Sequence, residues 1–457
     1  MHDSAHSVLG ISFDGLAISG IVNEFLHVAA IFRSDGYHIF LDLGGDIIPR
    51  GDGGPSDRFV PQWSRCIRCT GVLLPQGYNS ALIEEAKQSV IRGTPVSAVD
   101  RYMNVCRKLA SGLVATMERH AVRVLVIENG TLPDNPLFTE AIYLAVDEYG
   151  ERHGLDRYVL WRDHDLMWST EPHVYGSFPY PGVRRPKPNK YIHYCVATEW
   201  MQRRFEAWAR DVPCHVIPNR FHVPAPDLAS RRDPTLRQTY GVPEDALLIA
   251  RCTRVIPQKT IVRDLRLVQV LQRRLAEAGD HRRIYLFVTG PTGEDPAEFR
   301  RLRELSVALS VDSQVIWGNG LLPFNSVLGA SMPDADRFSV RDLLAEADLS
   351  SFLTSYDYEG FGNPPGEAMA FGLPFIVTSY ELYDEVYGRK GTVAPVLSIK
   401  RDSQPDAPIP DSFLSWVMRA LTDREYRERA IVRNQAICKR YFSLDALAEQ
   451  VQELFNR

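Results

Sequence analysis

Residues 358–374 form the segment that says most about the fold. They read Tyr358-Glu359-Gly360-Phe361-Gly362-Asn363-Pro364-Pro365-Gly366-Glu367-Ala368-Met369-Ala370-Phe371-Gly372-Leu373-Pro374. The order indicates a strand end, a glycine-rich turn and a helix start, with Asn363 placed to cap the helix and Pro364 at its first position. Free N–H groups at such a helix start, beside glycines without side-chain bulk, favour anionic or hydroxyl-rich ligands. Glu359 and Glu367 can accept hydrogen bonds from two parts of one such ligand.

A second polar segment follows a predicted strand at 247–252. It contains Arg254 and Lys259, five residues apart, on a loop from which both side chains can point at a diphosphate. Arginine supplies a planar fork of donors and lysine a compact charge. The alternative is that both are solvated surface residues, which is the commoner case for an isolated pair of cations.

A third polar segment, Arg162-Asp163-His164-Asp165, ends another predicted strand. A histidine at the carboxyl end of a parallel strand stands where α/β proteins bind ligands. His164 is therefore a candidate catalytic residue that Asp163 and Asp165 would orient, and the alternative is a histidine satisfied within a loop network. Glu128-Asn129-Gly130, after the strand at 123–127, is a weaker candidate because it matches no motif.

Strands and helices alternate along the chain. Predicted strands lie at 7–13, 37–43, 123–127, 158–161, 191–197 and 215–217, and then at 247–252, 284–288, 314–317, 349–354 and 374–377. This alternation predicts the α/β class, with two doubly wound, Rossmann-like domains. A proline-rich stretch near 220–235 separates them, so we expect domains at 1–220 and 221–439. A ligand is expected in a cleft between them, at the carboxyl ends of the strands.

Composition excludes several classes of protein. The 457 residues are 45% hydrophobic and 24% charged, which is typical of a globular protein. A net charge of −5 argues against a dedicated nucleic-acid binder. No apolar run approaches the ~20 residues that span a bilayer. The first residues lack a secretory signal and the seven cysteines are an odd number, so we expect reduced thiols in the cytoplasm. Cys66-Ile67-Arg68-Cys69 has no second ligand pair, so two loop thiols are favoured over zinc.

The segment at 359–374 resembles the signature of the retaining GT-B glycosyltransferases of family 4: Glu, seven residues, Glu, with Gly-Phe-Gly after the first Glu. The resemblance implies that Glu359 contacts a donor sugar and that Glu367 holds the ribose hydroxyls of its nucleotide. It also assigns the turn Gly360-Phe361-Gly362 to donor binding. Arg254 and Lys259 are similar to the family's Gly-Arg-Leu…Lys-Gly motif, although Cys252-Thr253 and Thr260 stand where glycines are usual.

The resemblance extends to the first half of the chain. His164 is similar to the histidine of the family's His-Asp element, near the donor sugar and the acceptor. Gly20, in the turn Asp14–Gly20, stands where the family has a glycine-rich turn near the donor phosphates, and Gly15 is a weaker candidate there. His215–Asn219 resembles a strand end at the domain border. A helix at 440–457 is expected to pack back on the first domain.

The implied reaction is retaining transfer of a hexosyl group from a nucleotide-diphosphate sugar, UDP-glucose-like or GDP-mannose-like, to a hydroxyl of an unknown acceptor. No metal and no cofactor is expected, because positive charges stabilise the leaving diphosphate. Alternatives are a GT-B epimerase or phosphorylase, or a non-catalytic nucleotide-sugar sensor or scaffold subunit. The basic, proline-rich residues 178–190 form either a loop near an anionic ligand or a solvated excursion.

Overall fold

Two parallel β-sheets organise the chain. The structure is a computed structural model that describes residues 6–13, 20–45, 47, 60–71, 74–132, 134–164, 166, 182–222, 235–319, 321 and 338–455. Within them the first sheet has seven strands: β1 (Ser7–Ser12), β2 (His38–Asp42), β3 (Ser64–Cys66), β4 (Val122–Glu128), β5 (Val159–Asp163), β6 (Ile192–Val196) and β7 (Cys214–Val216). Their order is β3-β2-β1-β4-β5-β6-β7, and all neighbours are parallel.

Helices connect these strands, as parallel pairing requires. They are α1 (Gly20–Ser34), α2 (Ser80–Ile91), α3 (Asp100–Arg119), α4 (Pro136–His153) and α5 (Glu199–Trp208). Helix α4 begins as its sequence predicts: the side chain of Asn135 accepts from the N–H of Phe138, and Pro136 is the first helical residue. Helix α1 packs so closely on β1 that a Cβ on Gly10 would lie 2.2 Å from the ring of Phe25.

The second sheet has six strands in the described part of the chain: β8 (Leu247–Arg251), β9 (Ile284–Val288), β10 (Val315–Trp317), β11 (Leu349–Phe352), β12 (Phe375–Thr378) and β13 (Val396–Leu397). Their order is β10-β9-β8-β11-β12-β13, again parallel throughout. The accompanying helices are α6 (Leu236–Tyr240), α7 (Val262–Glu277), α8 (Pro296–Ala308), α9 (Val340–Glu346), α10 (Asn363–Phe371), α11 (Tyr383–Val386), α12 (Asp411–Thr422), α13 (Arg424–Tyr441) and α14 (Leu444–Leu454).

Two compact units result. The described residues up to Asn219 and those from Asp445 onward form the first, and the described residues from Arg220 to Leu444 form the second. Each has its own core, and Leu447 and Val451 of α14 belong to that of the first unit. The prediction of two doubly wound parallel α/β sheets is confirmed. Within the described residues, no helix combines the length and the apolar composition needed to cross a bilayer.

Several boundaries differ from the predictions. Strand β4 runs to Glu128 and β5 to Asp163, because their buried polar ends continue the ladder beyond the apolar residues. Helix α10 begins at Asn363, and Gly362 is its N-cap with φ 85°, so Asn363 does not act as the cap. A positive φ is open to glycine at little cost, which moves the helix start one residue earlier. The sequence turn Asp14–Ser19 and Asp165 lie outside the described residues.

Candidate functional site

The candidate residues of the second unit follow its two central strands. Strand β8 lies between β9 and β11, so the connections leave in opposite directions from β8 and β11. In an open parallel sheet this switch point, at the carboxyl ends of the strands, is where ligands bind. Arg254 and Lys259 follow β8, and Glu359 follows β11. The topology therefore brings two segments about 100 residues apart to the same place.

Lys259 and Glu359 form the centre of this site. The Nζ of Lys259 donates to Oε1 of Glu359 at 2.5 Å, and Oγ1 of Thr354 donates to the same oxygen at 2.9 Å. Their side chains are 12% and 9% exposed, so both charges are largely removed from water. Lys259 also lies 4.9 Å above the centre of the Tyr358 ring. A buried pair of this kind is oriented by its neighbours and not by solvent.

Buried polar side chains hold the loop that carries Lys259. The fully buried guanidinium of Arg251 donates to the carbonyls of Lys259 and Ser351, and its Nε lies 3.1 Å from Oδ2 of Asp264. Arg263 donates to the carbonyl of Thr354 at 2.6 Å and to Oγ1 of Thr260 at 3.0 Å. These residues tie the loop after β8 to the strand that precedes Glu359. They fix the position of Lys259 without facing a ligand themselves.

The glycine-rich turn before α10 is held by two tyrosines. The hydroxyl of Tyr380 donates to the carbonyl of Phe361 at 2.5 Å, and that of Tyr387 donates to the carbonyl of Gly362 at 2.7 Å. The Phe361 side chain is 5% exposed and packs between the rings of Phe221, Tyr387 and Phe442. Only the backbone of Phe361 is thus left to face a ligand, whereas Gly360 remains partly exposed.

Glu367 lies in the second turn of α10 and is partly exposed. Its neighbourhood includes the thiol of Cys252, whose pKa is raised far above its usual range by burial and, to a smaller degree, by the charge of Glu367. Cys252 directly follows β8, so this carboxylate stands at the same sheet edge as Lys259. The structure therefore gathers Lys259, Glu359 and Glu367 at one switch point.

Arg254 has a carboxylate partner that the sequence did not suggest. Its Nε donates to Oε1 of Glu294 at 2.7 Å, and its Nη2 contacts the same oxygen. Glu294 lies in the loop after β9, and the Arg254 side chain is 48% exposed. A diphosphate bound here would share Arg254 with Glu294. Gly290 lies in the same loop as Glu294. It is so close to the loop after β8 that a Cβ on Gly290 would lie 2.3 Å from the carbonyl oxygen of Thr253.

In the first unit, His164 ends a chain of buried charges. Its Nε2 lies 2.6 Å from Oε2 of Glu128, and its Nδ1 lies 3.1 Å from Oδ1 of Asn219. Arg162 donates to Oε1 of Glu128 at 3.1 Å and reaches Oε2 of Glu24 at 3.4 Å. His164 is 8% exposed and the other charged residues are 2% exposed or less. The ring is therefore fixed from both sides.

This environment shifts two pKa values. Burial lowers the pKa of His164, but the charge of Glu128 and the hydrogen bond that the ring donates to it prevail and raise that pKa above its ordinary value. Burial raises the pKa of Asp163 to about 7, against the lowering effect of its hydrogen bonds from the backbone and hydroxyl of Thr131. His164 therefore keeps its proton to a higher pH than an ordinary histidine does, and the pKa of Asp163 lies close to neutral pH.

Gly20 is the remaining candidate residue of the first unit. Gly20 opens α1 and is exposed, and the turn before it is outside the described residues. Among the residues that the structure describes, no group of three or more His, Cys, Asp or Glu side chains is arranged to hold a metal ion.

The similarity of this chain to known proteins lies in its structure. No family model matches the sequence, and no curated protein matches it. A glycosyltransferase from Rickettsia africae ESF-5 is similar in structure over 99% of both chains, with a TM-score of 0.59 and 13% identity. The chain has the GT-B fold.

Two further GT-B structures agree with this. Sucrose-phosphate synthase from Thermosynechococcus elongatus gives a TM-score of 0.59 at 13% identity, over 99% of this chain and 98% of that one. HepE from Anabaena, solved in complex with UDP and glucose, gives 0.56 at 13% identity, over 99% of both chains. At identities this low, structural similarity establishes the GT-B fold alone. The activity has to be argued from the site.

The sequence does not predict the contacts of several residues of these sites. It offers Glu128 only as a weaker candidate without a motif and Asn219 only as part of the strand end at the domain border, yet both contact the ring of His164. A polar residue at the end of a predicted apolar strand was the available signal for Glu128. Glu294 and Arg251 gave no signal in the sequence. Glu294 lies 40 residues from its partner Arg254, and Arg251 lies 8 residues from Lys259, whose carbonyl it contacts.

Proposed function

We propose that this protein is a retaining glycosyltransferase of the family 4 type that moves a hexosyl group from a nucleotide-diphosphate sugar to an acceptor hydroxyl. The observation that carries the proposal is the contact of Lys259 with Glu359 at the switch point of the second sheet, beside Glu367. A cation for a diphosphate and two carboxylates for hydroxyl groups are the recognition elements that such a donor needs. The GT-B fold supports this proposal.

The residues of the second unit have distinct roles in this proposal. Glu367 accepts hydrogen bonds from the ribose hydroxyls, and Glu359 contacts the donor sugar. Lys259 and Arg254 stabilise the charge that grows on the leaving diphosphate. The bond from the anomeric carbon to the diphosphate breaks, a bond to the acceptor oxygen forms on the same face, and the acceptor's proton leaves with the diphosphate. Backbone N–H groups of the Gly360–Gly362 turn add donors for the phosphates.

The first unit serves the acceptor side of the reaction in this proposal. His164 is the residue that meets the reacting sugar. In the protonated imidazole, which Glu128 favours, Nε2–H stays on Glu128, and Nδ1–H exchanges its acceptor Asn219 Oδ1 for a hydroxyl of the sugar, which it thereby positions. Arg162 and Glu24 act as positioning residues, because they reach His164 only through Glu128.

A thermal-shift panel tests the proposal. The purified protein is heated with UDP, GDP, ADP and their glucose and mannose derivatives, and a ligand at 100 times its Kd adds about 2.7 kcal/mol of stability. We expect one nucleotide series to raise the Tm, and the matching sugar donor to be hydrolysed slowly without acceptor. Sugar release should continue in EDTA. Nucleotide binding without any sugar release would favour the sensor instead, and no shift by any nucleotide would contradict the proposal.

Glu359→Gln is the sharpest variant for this panel. It keeps the size of the side chain but removes the charge that Lys259 and Thr354 contact. We expect the nucleotide to shift its Tm as in the wild type, whereas sugar release falls. Glu381→Gln is the matched control, because Glu381 is a partly exposed carboxylate of the same unit paired with Arg401.

A further inference from the structure

A cavity of about 360 Å³ lies in the first unit, at the start of α4. Its walls come from the end of α2, from residues 95–97, from the first turn of α4 and from residues 182–187. Gly182 closes one side: its N–H donates to the carbonyl of Val90 at 3.0 Å, and a Cβ there would lie 2.7 Å from that oxygen. This close approach holds the basic segment that follows Gly182 against the cavity.

The charge of the cavity wall is positive. Arg184 is neutralised by Glu140, the one carboxylate among the described lining residues, and its guanidinium lies 4.0 Å from the centre of the Tyr143 ring. Arg185 and Lys187 also line the cavity, are exposed, and have no hydrogen-bond or ion-pair partner among the described residues. Within the described part of the chain these two cations are uncompensated, and the positive end of the 18-residue helix α4 adds to them.

The cavity adjoins the candidate catalytic histidine. Thr131 lines it, and the N–H and hydroxyl of Thr131 donate to Oδ1 of Asp163 at 3.2 and 2.9 Å. Asp163 directly precedes His164, so one hydrogen-bonded residue separates the cavity wall from the backbone of His164. The cavity and His164 are therefore linked through Thr131 and Asp163.

We propose that this cavity binds the acceptor, and that the acceptor is a small sugar carrying a phosphate group. A cavity of this volume is at the lower end of the range of ligand sites, about 300–1,000 Å³, which suits one phosphorylated monosaccharide. Two cations and a helix N-terminus match the double negative charge of a phosphate monoester. The inference rests on the proposed function, since it names the substrate that receives the glycosyl group.

Binding of glucose 6-phosphate, measured by calorimetry without any donor, tests the inference. We expect it to bind where glucose does not, and to bind more weakly at high salt, because the cations are exposed. Arg185→Ala and Lys187→Ala should each raise the Kd about tenfold, since a hydrogen bond to a charged group is worth roughly 1.5–3 kcal/mol. Lys190→Ala is the matched control: it removes a cation from the same segment, paired with Asp156 and outside this cavity.

Three outcomes would overturn the inference. They are no binding of glucose 6-phosphate, equal loss in Lys190→Ala, and binding of phosphatidic acid vesicles that depends on Arg185 and Lys187 when glucose 6-phosphate does not bind. The last would assign the cations to a lipid phosphate. Binding of UDP, GDP and ADP to the same variants tests the proposed function separately, because Arg185 and Lys187 belong to the first unit. A failure of all three nucleotides to bind would contradict the proposed function and leave the phosphate result intact.

Discussion

At the scale of single residues, each candidate site contains a buried carboxylate paired with a positively charged side chain. Glu359 faces Lys259 in the second unit, and Glu128 lies between Arg162 and His164 in the first. Removing one partner of such a pair leaves an uncompensated buried charge, which costs about 3–5 kcal/mol. Conservative variants are therefore more informative than truncations at these positions. Glu367 is the exception, because it is partly exposed.

Glu367→Ala should weaken nucleotide binding more than it slows the reaction of a bound donor. The reason is the expected grip of this carboxylate on the ribose, where a hydrogen bond to a charged group is worth roughly 1.5–3 kcal/mol. The Kd for the free nucleotide and the kcat at saturating donor are compared with those of Glu381→Ala. An unchanged Kd would show that Glu367 is not the ribose ligand.

Asp163→Asn should be more stable than the wild type at pH 8, and the difference should vanish towards pH 4. The pKa of Asp163 is raised to about 7 from an ordinary value of 3.8, so folding favours its neutral form. The stability this provides is complete below pH 3.8 and is lost as the pH rises through 7. Asparagine cannot ionise and still accepts from Thr131. Urea unfolding should show almost no advantage of the variant at pH 4, most of the advantage already at pH 6, and about 4 kcal/mol at pH 8.

The turn before α10 shows at the scale of an element how a short sequence specifies a site. The glycines, the prolines and Glu367 could be placed from the sequence, since the turn and the helix follow one another directly within residues 358–374. The tyrosines that hold the turn could not, because Tyr380 and Tyr387 come from a later part of the chain and resemble ordinary core residues. The short edge strand β3 was missed for a related reason: Ser64-Arg65-Cys66 has no apolar pattern.

Gly362→Ala should destabilise the protein for two reasons: the positive φ, which is unfavourable for alanine, and a steric clash of the added Cβ. Gly362 has φ 85°, and a Cβ there would lie 2.5 Å from the Tyr380 hydroxyl. Gly279→Ala is the control, because Gly279 has φ 75° with no atom within 4 Å of the added carbon. The control should cost about 1–2 kcal/mol of unfolding free energy. Gly362→Ala should lose a further 1–3 kcal/mol through overpacking, together with donor binding. Equal losses in both variants would contradict the close contact.

At the scale of the whole molecule, His164 and Gly20 belong to the first unit, whereas the other predicted donor residues belong to the second. The alternation of strands and helices was enough to predict two doubly wound sheets, since parallel pairing demands crossover helices. It could not predict the partners of His164, because Glu128 and Asn219 lie 36 and 55 residues away from it in the chain. Long-range pairs of this kind leave no periodic trace in a sequence.

His164→Ala should bind free nucleotide as the wild type does and lose about 10²-fold or more in sugar transfer, as expected for a group that positions the reacting sugar. The nucleotide contacts proposed above all lie in the other unit. His193→Ala is the control: His193 is a buried histidine of the same unit, on β6, whose pKa burial lowers to about 4. Normal transfer by His164→Ala would make His164 a structural residue, and a weakened nucleotide Kd would move it to the donor side.

Helix α14 has a consequence for how the protein is made. Leu447 and Val451 are 0% and 1% exposed in the core of the first unit, and the ring of Phe455 packs edge-on against Phe32. A ribosome delivers these side chains only after it has synthesised all of the second unit. The second unit, whose strands are contiguous in the chain, is therefore the first to have its complete core. The amino-terminal unit emerges earlier, but part of its apolar core stays uncovered until α14 has been synthesised. We therefore expect this unit to bind chaperones during synthesis.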